Sequence, residues 1–286
     1  MKLKRSKIGP ARSRRGDTAV LFVLITVGVF MLLPFIYAII QSLKPTEEIF
    51  AYPPKFFVRN PTFDNYKTLS QLVDSLWIPF GRYFLNSTIV TVIGTGLNLL
   101  FSSMAAFAFA KYNFPGSKWM FSLVVAALLF SGTVTALPQY IIMAGLGFIN
   151  TLFALIIPAA ATPLGLFLMK NFMVQIPDTV IEAATIDGAG IFKIYLKICM
   201  PLVKPAALTL IIFSFQGLWN STGGSYIYEE AWKLLPTVLN DVASAGIARV
   251  GSATAASVLM MIPPCVLFVI TQSRIVETMA FSGIKG

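Results

Sequence analysis

The chain has 286 residues, of which 56% are hydrophobic and only 12% are charged, and its net charge is +10. Soluble globular chains carry about 25% charged residues, so this composition excludes a soluble enzyme or binding module and predicts an all-α, polytopic protein of the lipid bilayer. A chain of this length holds one bundle of about six spans of roughly 20 residues each, with little left for a second domain.

The first element is a basic tail over residues 1–17, with seven Lys and Arg residues ahead of an apolar run. Such a tail is also compatible with binding nucleic acid or lipid. Positive residues beside a first span act as a signal that keeps the tail in the cytoplasm, and this role alone accounts for the seven charges. No nucleic-acid partner is therefore expected. The run at 18–42 is too long for the h-region of a cleaved signal, which has roughly 7–15 residues, so a retained helix is predicted. This helix and the external loop after it make up residues 18–83.

Intervals without charged residues predict five further spans. One interval is about twice as long as the others, and Leu137 and Pro138, followed by residues 145–147, divide it into two helices joined by a turn. The positive-inside rule places both termini and most of the 22 Lys and Arg residues in the cytoplasm. These spans form a core at 84–280, before a cytoplasmic tail at 281–286, and cover residues 84–110, 119–142, 151–173, 204–222 and 253–273.

Neutral polar and aromatic side chains in or at the ends of these spans are candidates for lining a solute passage. Polar groups in hydrocarbon tend to face the interior of a bundle, where they can exchange hydrogen bonds with a hydroxyl-rich solute. Hydrogen bonding between helices explains any single one of them at least as well. Small residues such as Thr95, Ser102 and Ser103 are expected to be packing positions. The passage candidates are Asn86, Gln139, Gln216, Trp219 and Asn220.

The spans lack the groups that ion coupling, metal binding and catalysis use. No His occurs in the chain and no Asp or Glu occurs in the predicted spans, so proton or sodium coupling is not expected. Cys199 and Cys265 are far apart and have no metal-site or redox spacing. The sequence also lacks the phosphate loop G-x-x-x-x-G-K-[ST], so ATP hydrolysis by this chain is not expected, nor is another enzymatic activity.

A hydrophilic insert at 177–205 separates spans four and five. Pro177 ends the preceding helix, and Thr179 with Glu182 matches the capping box that opens a helix. Gly188 can adopt the left-handed conformation that ends a short helix, so a helix is predicted between these two signals.

A second helix of the insert is predicted from about 191 to 200, ending at Pro201. Its apolar face includes Tyr195 and Ile198, opposite several lysines. The insert either docks a soluble partner or lies on the inner leaflet with its lysines touching lipid phosphates, and amphipathicity alone does not separate these alternatives.

The spacing within the insert carries a resemblance to a known family. Glu-Ala-Ala at 182–184 is followed after three residues by Gly188, and after nine more by Ile-Cys-Met-Pro at 198–201. This pattern resembles the EAA loop of permease subunits in binding-protein-dependent ABC importers, where the last four residues are Ile-x-Leu-Pro. Met200 is a small departure of similar size and polarity.

The resemblance extends over nearly the whole chain. It points to the carbohydrate branch of these importers. Within that branch, the sequence is similar to the smaller permease of the maltose-type importer. The sequence departs from that pattern after Asn220, where Ser221 and Thr222 replace Asp-Phe. The segments that carry the resemblance are 42–44, 63–66, 86–87, 146–151, 219–220 and 283–286.

The resemblance implies a permease of six transmembrane helices, with the type I importer fold, in the bacterial cytoplasmic membrane. Its expected partners are a sister permease, a cytoplasmic ATPase dimer that holds ATP and Mg²⁺, and an extracytoplasmic solute-binding protein. No cofactor is expected in this chain itself. The implied solute is an oligosaccharide or related sugar. The alternatives are a non-sugar solute of an ABC importer and, less favoured, a secondary transporter.

The resemblance also implies a role for the insert, which would be seated in a cleft of the ATPase. Glu182 would face a basic group there, Ala183 and Ala184 would allow close approach, and Gly188 would set the turn. The implied ATPase-coupling residues are Glu182, Ala183, Ala184, Asp187, Gly188 and Pro201.

Two external loops are implied to face the binding protein. In similar permeases the loop after span five reaches into that protein, which gives such a role to Tyr226, Tyr228 and Trp232. These aromatic side chains equally suit lipid headgroups. The earlier loop at 43–82 is a further expected docking surface.

Overall fold

The computed structural model describes residues 14–74, 78–244, 246 and 249–282. Within these residues the regular structure is helical and contains no strand, as the composition predicts. In chain order the elements are α1 (Arg14–Ser42), α2 (Thr46–Ile49), α3 (Asp64–Asp74), α4 (Phe80–Lys111), α5 (Ser117–Ala127), α6 (Gly132–Gly145), α7 (Phe153–Ala160), α8 (Pro163–Val174), α9 (Asp178–Ile186), α10 (Ile191–Ile194), a π-turn (Tyr195–Cys199), α11 (Met200–Leu202), α12 (Lys204–Trp219), a 3₁₀ turn (Glu230–Trp232), α13 (Leu235–Ser244) and α14 (Val250–Ser282).

The described residues contain four segments that are long and apolar enough to cross a membrane, or six if each of two bent helix pairs counts as one span. One bent pair is α5 with α6, at 111°, and the other joins the 191–202 segment to α12, at 80°. The predicted set of six therefore corresponds to four direct crossings and two broken ones. The four are Gly16–Ser42, Phe80–Lys111, Phe153–Val174 and Val250–Gln272.

The prediction of one continuous helix at 119–142 is wrong, because the chain bends at 128–131. Ser131 has an extended backbone (ψ 149°), and the Ser-Gly pair it begins has low helix propensity. Pro138, a predicted break, instead lies inside α6. The other predicted break is confirmed, since Gly147 adopts a left-handed conformation (φ +74°).

The bundle is organised around α4. The helices α7, α8 and α12 pack against α4, while α14 packs on α12 and also contacts α1, α3 and α13. An apolar cluster at one end joins α4 and α8 to the second half of the insert, and we call this the insert end. Two smaller clusters lie at the opposite end, the loop end, where α3, α13 and the loop after α12 meet.

A buried hydrogen-bond cluster fastens α4 to α8 and α12 midway along the bundle. Asn98 Nδ2 donates to Ser214 Oγ at 2.7 Å, and Asn98 Oδ1 accepts from the hydroxyls of Ser102 (2.9 Å) and Thr162 (3.1 Å). A Cβ at Gly165 would lie 2.4 Å from Ser102 Oγ, so glycine allows α8 this close approach to α4. Ser102 bonds to Asn98 within α4 and packs against Gly165 of α8, which agrees with the packing position that the sequence predicts.

At the loop end, Asn65 closes the end of α1. Its Nδ2 donates to the carbonyls of Ser42 (2.8 Å) and Lys44 (2.7 Å), and the Ser42 and Tyr66 hydroxyls lie 2.8 Å apart. A Cβ at Gly251, in α14, would lie 2.1 Å from Asn65 Oδ1. Two segments that carry the family resemblance therefore meet here and join α1 to α14.

Candidate functional site

The insert begins where Lys111 links α4, α8 and α9. The Lys111 side chain is 4% exposed, its Nζ donates to the Ile176 carbonyl just after α8, and it lies 2.8 Å from Asp178 Oδ1. The helix α9 starts at Asp178, and no side-chain hydrogen bond caps it, so the predicted capping box starting at Thr179 is wrong. The Asp178 carboxylate in the first turn, paired with Lys111, suits the positive end of the helix dipole instead.

The predicted turn at Gly188 is confirmed. Gly188 has φ +76° and donates its N–H to the Thr185 carbonyl at 3.0 Å, and the Ala189 N–H donates to the Ala184 carbonyl at 2.9 Å. These are the two hydrogen bonds of a Schellman helix end. A Cβ at position 188 would meet nothing within 4 Å, so the preference for glycine is conformational rather than steric.

The second helix of the insert ends at Leu202, one residue beyond the predicted end at Pro201. It passes from α10 through the π-turn Tyr195–Cys199 into α11 before the 80° bend to α12. In the wider π-turn the Met200 N–H donates to the Tyr195 carbonyl, five residues back. The turn therefore accommodates Pro201, which has no N–H to donate.

Tyr195 anchors this second helix in the bundle. Its hydroxyl lies 2.6 Å from Ser103 Oγ, and its ring centroid lies 5.6 Å from that of Phe107, both residues of α4. Ile194 and Cys199 are buried in the same cluster. One face of this half of the insert is therefore buried in the bundle, while Lys193 and Lys197 on the other face are exposed.

The exposed part of the insert surrounds the Gly188 turn. Ile186 is 85% exposed and Phe192 is 72% exposed, so two large apolar side chains lie on the surface of this short segment. Sequence reasoning missed both residues, although apolar residues flanking a glycine turn in a polar insert are a usable signal. Ala184 packs inward on the apolar cluster, and Pro201 is exposed in α11. We call the exposed group the insert tip, which comprises Glu182, Ala183, Ile186, Asp187, Gly188, Ile191 and Phe192.

Two of the five passage candidates line one open groove of about 660 Å³. Gln216 and Asn220 contribute from α12, and Asn240 of α13 and Ser257 of α14 line the same groove. Sequence reasoning did not single out the last two, because they come from different helices and have no shared spacing. Gln139 is half-buried in α6 and does not line this groove.

Asn86 and Trp219 make contacts within the chain instead. Asn86 Nδ2 donates to the carbonyls of Ala231 (3.0 Å) and Lys233 (3.1 Å), which ties the loop after α12 to α4. Trp219 is buried, and its Nε1–H donates to the Met260 carbonyl of α14 at 3.0 Å. The structure therefore places these two residues in the packing role that was the alternative for every passage candidate.

Asn150 shapes the loop that contains Tyr226 and Tyr228. Asn150 has a left-handed backbone (φ +59°), and its Oδ1 accepts the N–H groups of Tyr228 (2.7 Å) and Glu229 (3.1 Å). The Asn150 N–H donates to the Tyr226 carbonyl at 2.9 Å. Tyr228 is exposed and Tyr226 is half-buried, so the loop presents Tyr228 from a fixed backbone.

The 3₁₀ turn of the same loop is held by charged groups. The Arg82 guanidinium lies 5.5 Å from the Trp232 ring, and Glu230 accepts from the Tyr83 hydroxyl at 2.9 Å and pairs with Lys233 at 2.8 Å. Burial opposes ionisation of Glu230, but the hydrogen bonds from Lys233 and Tyr83 outweigh it and hold the pKa of this carboxyl below its ordinary value. The hydrogen bond to Glu230 raises the pKa of Lys233. Among the described residues there is no group of three or more His, Cys, Asp or Glu that suits a metal ion.

No family model matches the sequence, but individual proteins do. The chain is 30% identical over 257 residues to the ABC transporter permease protein ORF2 of Caldicellulosiruptor sp. strain Rt8B.4, across 88% of this chain and 91% of that protein. It is also 30% identical to the diacetylchitobiose uptake system permease protein NgcG of Streptomyces coelicolor, across 88% and 83% of the two chains. The fold is similar to a chain of a bacterial ABC transporter involved in importing the acidic polysaccharide alginate, with a TM-score of 0.75 and 22% identity over 93% of this chain and 99% of that one.

Proposed function

The chain belongs to the permease subunits of ABC transporters, and from this premise we propose that it forms half of the passage of an importer for an oligosaccharide or related sugar. The solute class is supported by NgcG, which is 30% identical and is the permease protein of a diacetylchitobiose uptake system. We further propose a sister permease for the other half, and a separate ATPase that carries ATP and Mg²⁺.

The insert tip is the observation that carries this proposal. Ile186 and Phe192 are exposed, and so are Glu182 and Asp187 in the same short segment of the chain. Hydrocarbon disfavours the carboxylates, and water disfavours the apolar side chains, whereas a cleft in a soluble protein accommodates both. We assign that cleft to the ATPase on the cytoplasmic side, with Glu182 paired to a basic group there.

Two attachments transmit movement of the tip to the bundle. The Lys111–Asp178 pair joins the start of α9 to the end of α4, and the Tyr195–Ser103 contact joins the second helix to α4 further along. Because α4 packs on α7, α8 and α12, displacement of the insert by the ATPase would reorient the centre of the bundle. This is the proposed mechanical step of alternating access.

The groove beside α12 is the proposed contribution of this chain to the passage. Gln216, Asn220, Asn240 and Ser257 provide amide and hydroxyl groups that can exchange hydrogen bonds with sugar hydroxyls. The sister permease would close the open side of the groove. At the loop end, the loop with Tyr226, Tyr228 and Trp232 is the proposed contact with an extracytoplasmic solute-binding protein.

The assembly is tested by purifying a tagged form of the chain from membranes of its natural host. We expect a second permease and an ATPase to co-purify. ATP hydrolysis by the complex in lipid nanodiscs should rise when the solute-binding protein is added with an oligosaccharide, and should not rise with the same protein without sugar. A chain that purifies alone and transports solute in step with an ion gradient would contradict the proposal. Stimulation only by a non-sugar solute would contradict the sugar assignment alone.

A further inference from the structure

The loop between α2 and α3 exposes apolar residues that neither the coupling nor the passage proposal uses. Residues 51–57 read Ala-Tyr-Pro-Pro-Lys-Phe-Phe, and all seven are exposed. Tyr52 is 95% exposed and Phe57 is 72% exposed, and Phe50 just before them is 52% exposed. We call residues 50–57 the aromatic loop. It contains one charged side chain, that of Lys55.

Polar contacts on its inner side give the aromatic loop a defined shape. The Lys44 side chain is buried, and its Nζ donates to the Lys55 carbonyl. The Arg59 N–H donates to Glu48 Oε1 at 2.8 Å, which closes the base of the loop. Because the polar groups bond inward, the aromatic side chains form the outer surface.

The depth of the loop follows from its contact with α1. The Phe56 ring centroid lies 5.5 Å from that of Tyr37. The crossing segment Gly16–Ser42 is centred on Val29, and Tyr37 lies eight residues beyond this centre. At 1.5 Å per residue this is about 12 Å, compared with a hydrocarbon half-thickness of about 15 Å. Phe56 therefore lies near the boundary between hydrocarbon and headgroups.

We propose that the aromatic loop is a lipid-binding surface embedded in the headgroup region of the leaflet at the loop end. Aromatic side chains are enriched at this depth, and Lys55 can pair with lipid phosphate. The loop is also continuous with α1, whose most apolar window has no buried residues in this chain. A soluble binding protein would have to displace headgroups to reach the same surface. The inference requires that α1 crosses the membrane, and it does not depend on the solute or the ATPase.

The test is spin labelling of the assembled complex in lipid nanodiscs, using Tyr52→Cys and Phe57→Cys in a chain whose exposed Cys265 is replaced by Ser. Phe30→Cys, on the exposed face of α1, is the control inside the bilayer, and Gln71→Cys, exposed on α3, is the control in water. Collision rates with oxygen and with a water-soluble nickel chelate report depth. We expect the oxygen-to-nickel ratio at positions 52 and 57 to be severalfold above that at 71 and below that at 30, and to be unchanged by excess solute-binding protein.

Three outcomes would overturn the proposal. An oxygen-to-nickel ratio equal to that at position 71 would place the loop in water. A fall in the collision rates with both oxygen and the nickel chelate on adding the solute-binding protein would show that the loop is a docking surface for that protein. Low collision rates with both reagents from the start would mean that the sister permease covers it. A second measurement uses the unsubstituted chain with a lipid that carries a photoreactive headgroup, where labelling of residues 50–57 is expected and its absence also refutes the proposal. Neither measurement requires sugar or ATP, so failure here is distinct from failure of the proposed transport function.

Discussion

The structure favours glycine at positions 188 and 165, but for different physical reasons. Gly188 has a left-handed backbone in open space, whereas Gly165 has ordinary helical surroundings and no room for a Cβ beside Ser102. The first preference follows from the local turn and was predictable. The second depends on how closely α8 approaches α4, which no local pattern contains.

Gly188→Ala isolates the conformational requirement of the insert tip. A left-handed backbone costs an alanine about 1–2 kcal/mol, so the turn between α9 and α10 should be displaced while the bundle stays folded. We expect sugar-stimulated ATP hydrolysis by the complex to fall severalfold with little change in its melting temperature. Gly190→Ala is the matched control, because Gly190 has φ −67° and open space around its Cβ position. Equal activity of the two variants would refute the role of the turn.

The Glu230 and Lys233 pair predicts a dependence of stability on pH. Because the folded pKa of Glu230 is lowered, its contribution is present above the ordinary value of 4.5 and is lost as pH falls through the folded value. The raised pKa of Lys233 means that its contribution is present below 10.5 and is lost as pH rises through the folded value. Between these limits the loop should stay anchored.

Glu230→Gln tests this anchoring. We expect its melting temperature in detergent to lie below that of the unsubstituted chain at pH 7, and the difference to shrink as both are acidified below pH 4.5. Glu229→Gln is the control, since Glu229 is exposed and contributes its backbone N–H to the loop. A pH-independent difference for Glu230→Gln would mean that the charge of this residue does not hold the loop.

At the scale of secondary-structure elements, the two halves of the insert differ in how they are attached. The first half, α9, is held at its start by Lys111 and touches the apolar cluster through Ile181 and Ala184, while its outer face is exposed. The second half is buried through Ile194, Tyr195 and Cys199. An exposed tip on a buried base suits the proposed contact with an ATPase.

Phe192→Asp should weaken the proposed contact between the insert tip and the ATPase. Burying an exposed aromatic side chain at an interface can contribute about 2 kcal/mol, which corresponds to roughly 30-fold in affinity. We expect less ATPase to co-purify at a given salt concentration, with the permease pair intact. Phe192→Leu should largely preserve the contact, and Lys193→Ala controls for a neighbouring change of charge. Unchanged ATPase recovery for Phe192→Asp would exclude this side chain from the interface.

Asn98→Leu should loosen the centre of the bundle. It removes the partner of the Ser102, Thr162 and Ser214 hydroxyls. Interhelical hydrogen bonds in membranes contribute about 0.6 kcal/mol on average and up to about 1.7 kcal/mol, so a loss of about 1–3 kcal/mol is expected for this cluster. Thermal unfolding in detergent measures it. Thr88→Val is the control, because the Thr88 hydroxyl donates to the Phe84 carbonyl of its own helix. Equal melting temperatures would show that the Asn98 cluster does not stabilise the bundle.

At the scale of the whole molecule, the described bundle leaves large apolar surfaces open. Leu129 and Phe130 at the α5–α6 bend are exposed, as are Leu137 and Ile141 of α6, while α1 packs chiefly on α14. The groove beside α12 is likewise open on one side. These features fit a subunit that is completed by a sister permease and by lipid, and the co-purification experiment tests that assembly.

Local sequence was sufficient for the membrane class, the approximate spans, the insert and the Gly188 turn, because hydropathy and backbone preference act over a few neighbouring residues. Contacts between distant segments set the rest. The bend at 128–131 is an exception, because its Ser131-Gly132 pair is a local signal of low helix propensity. The packing role of Asn86 and the joining of Asn240 to the groove depend on which helices meet. Hydrogen bonds and close packing form between whatever the fold brings within a few ångströms, and that proximity is not encoded in the spacing of residues along the chain.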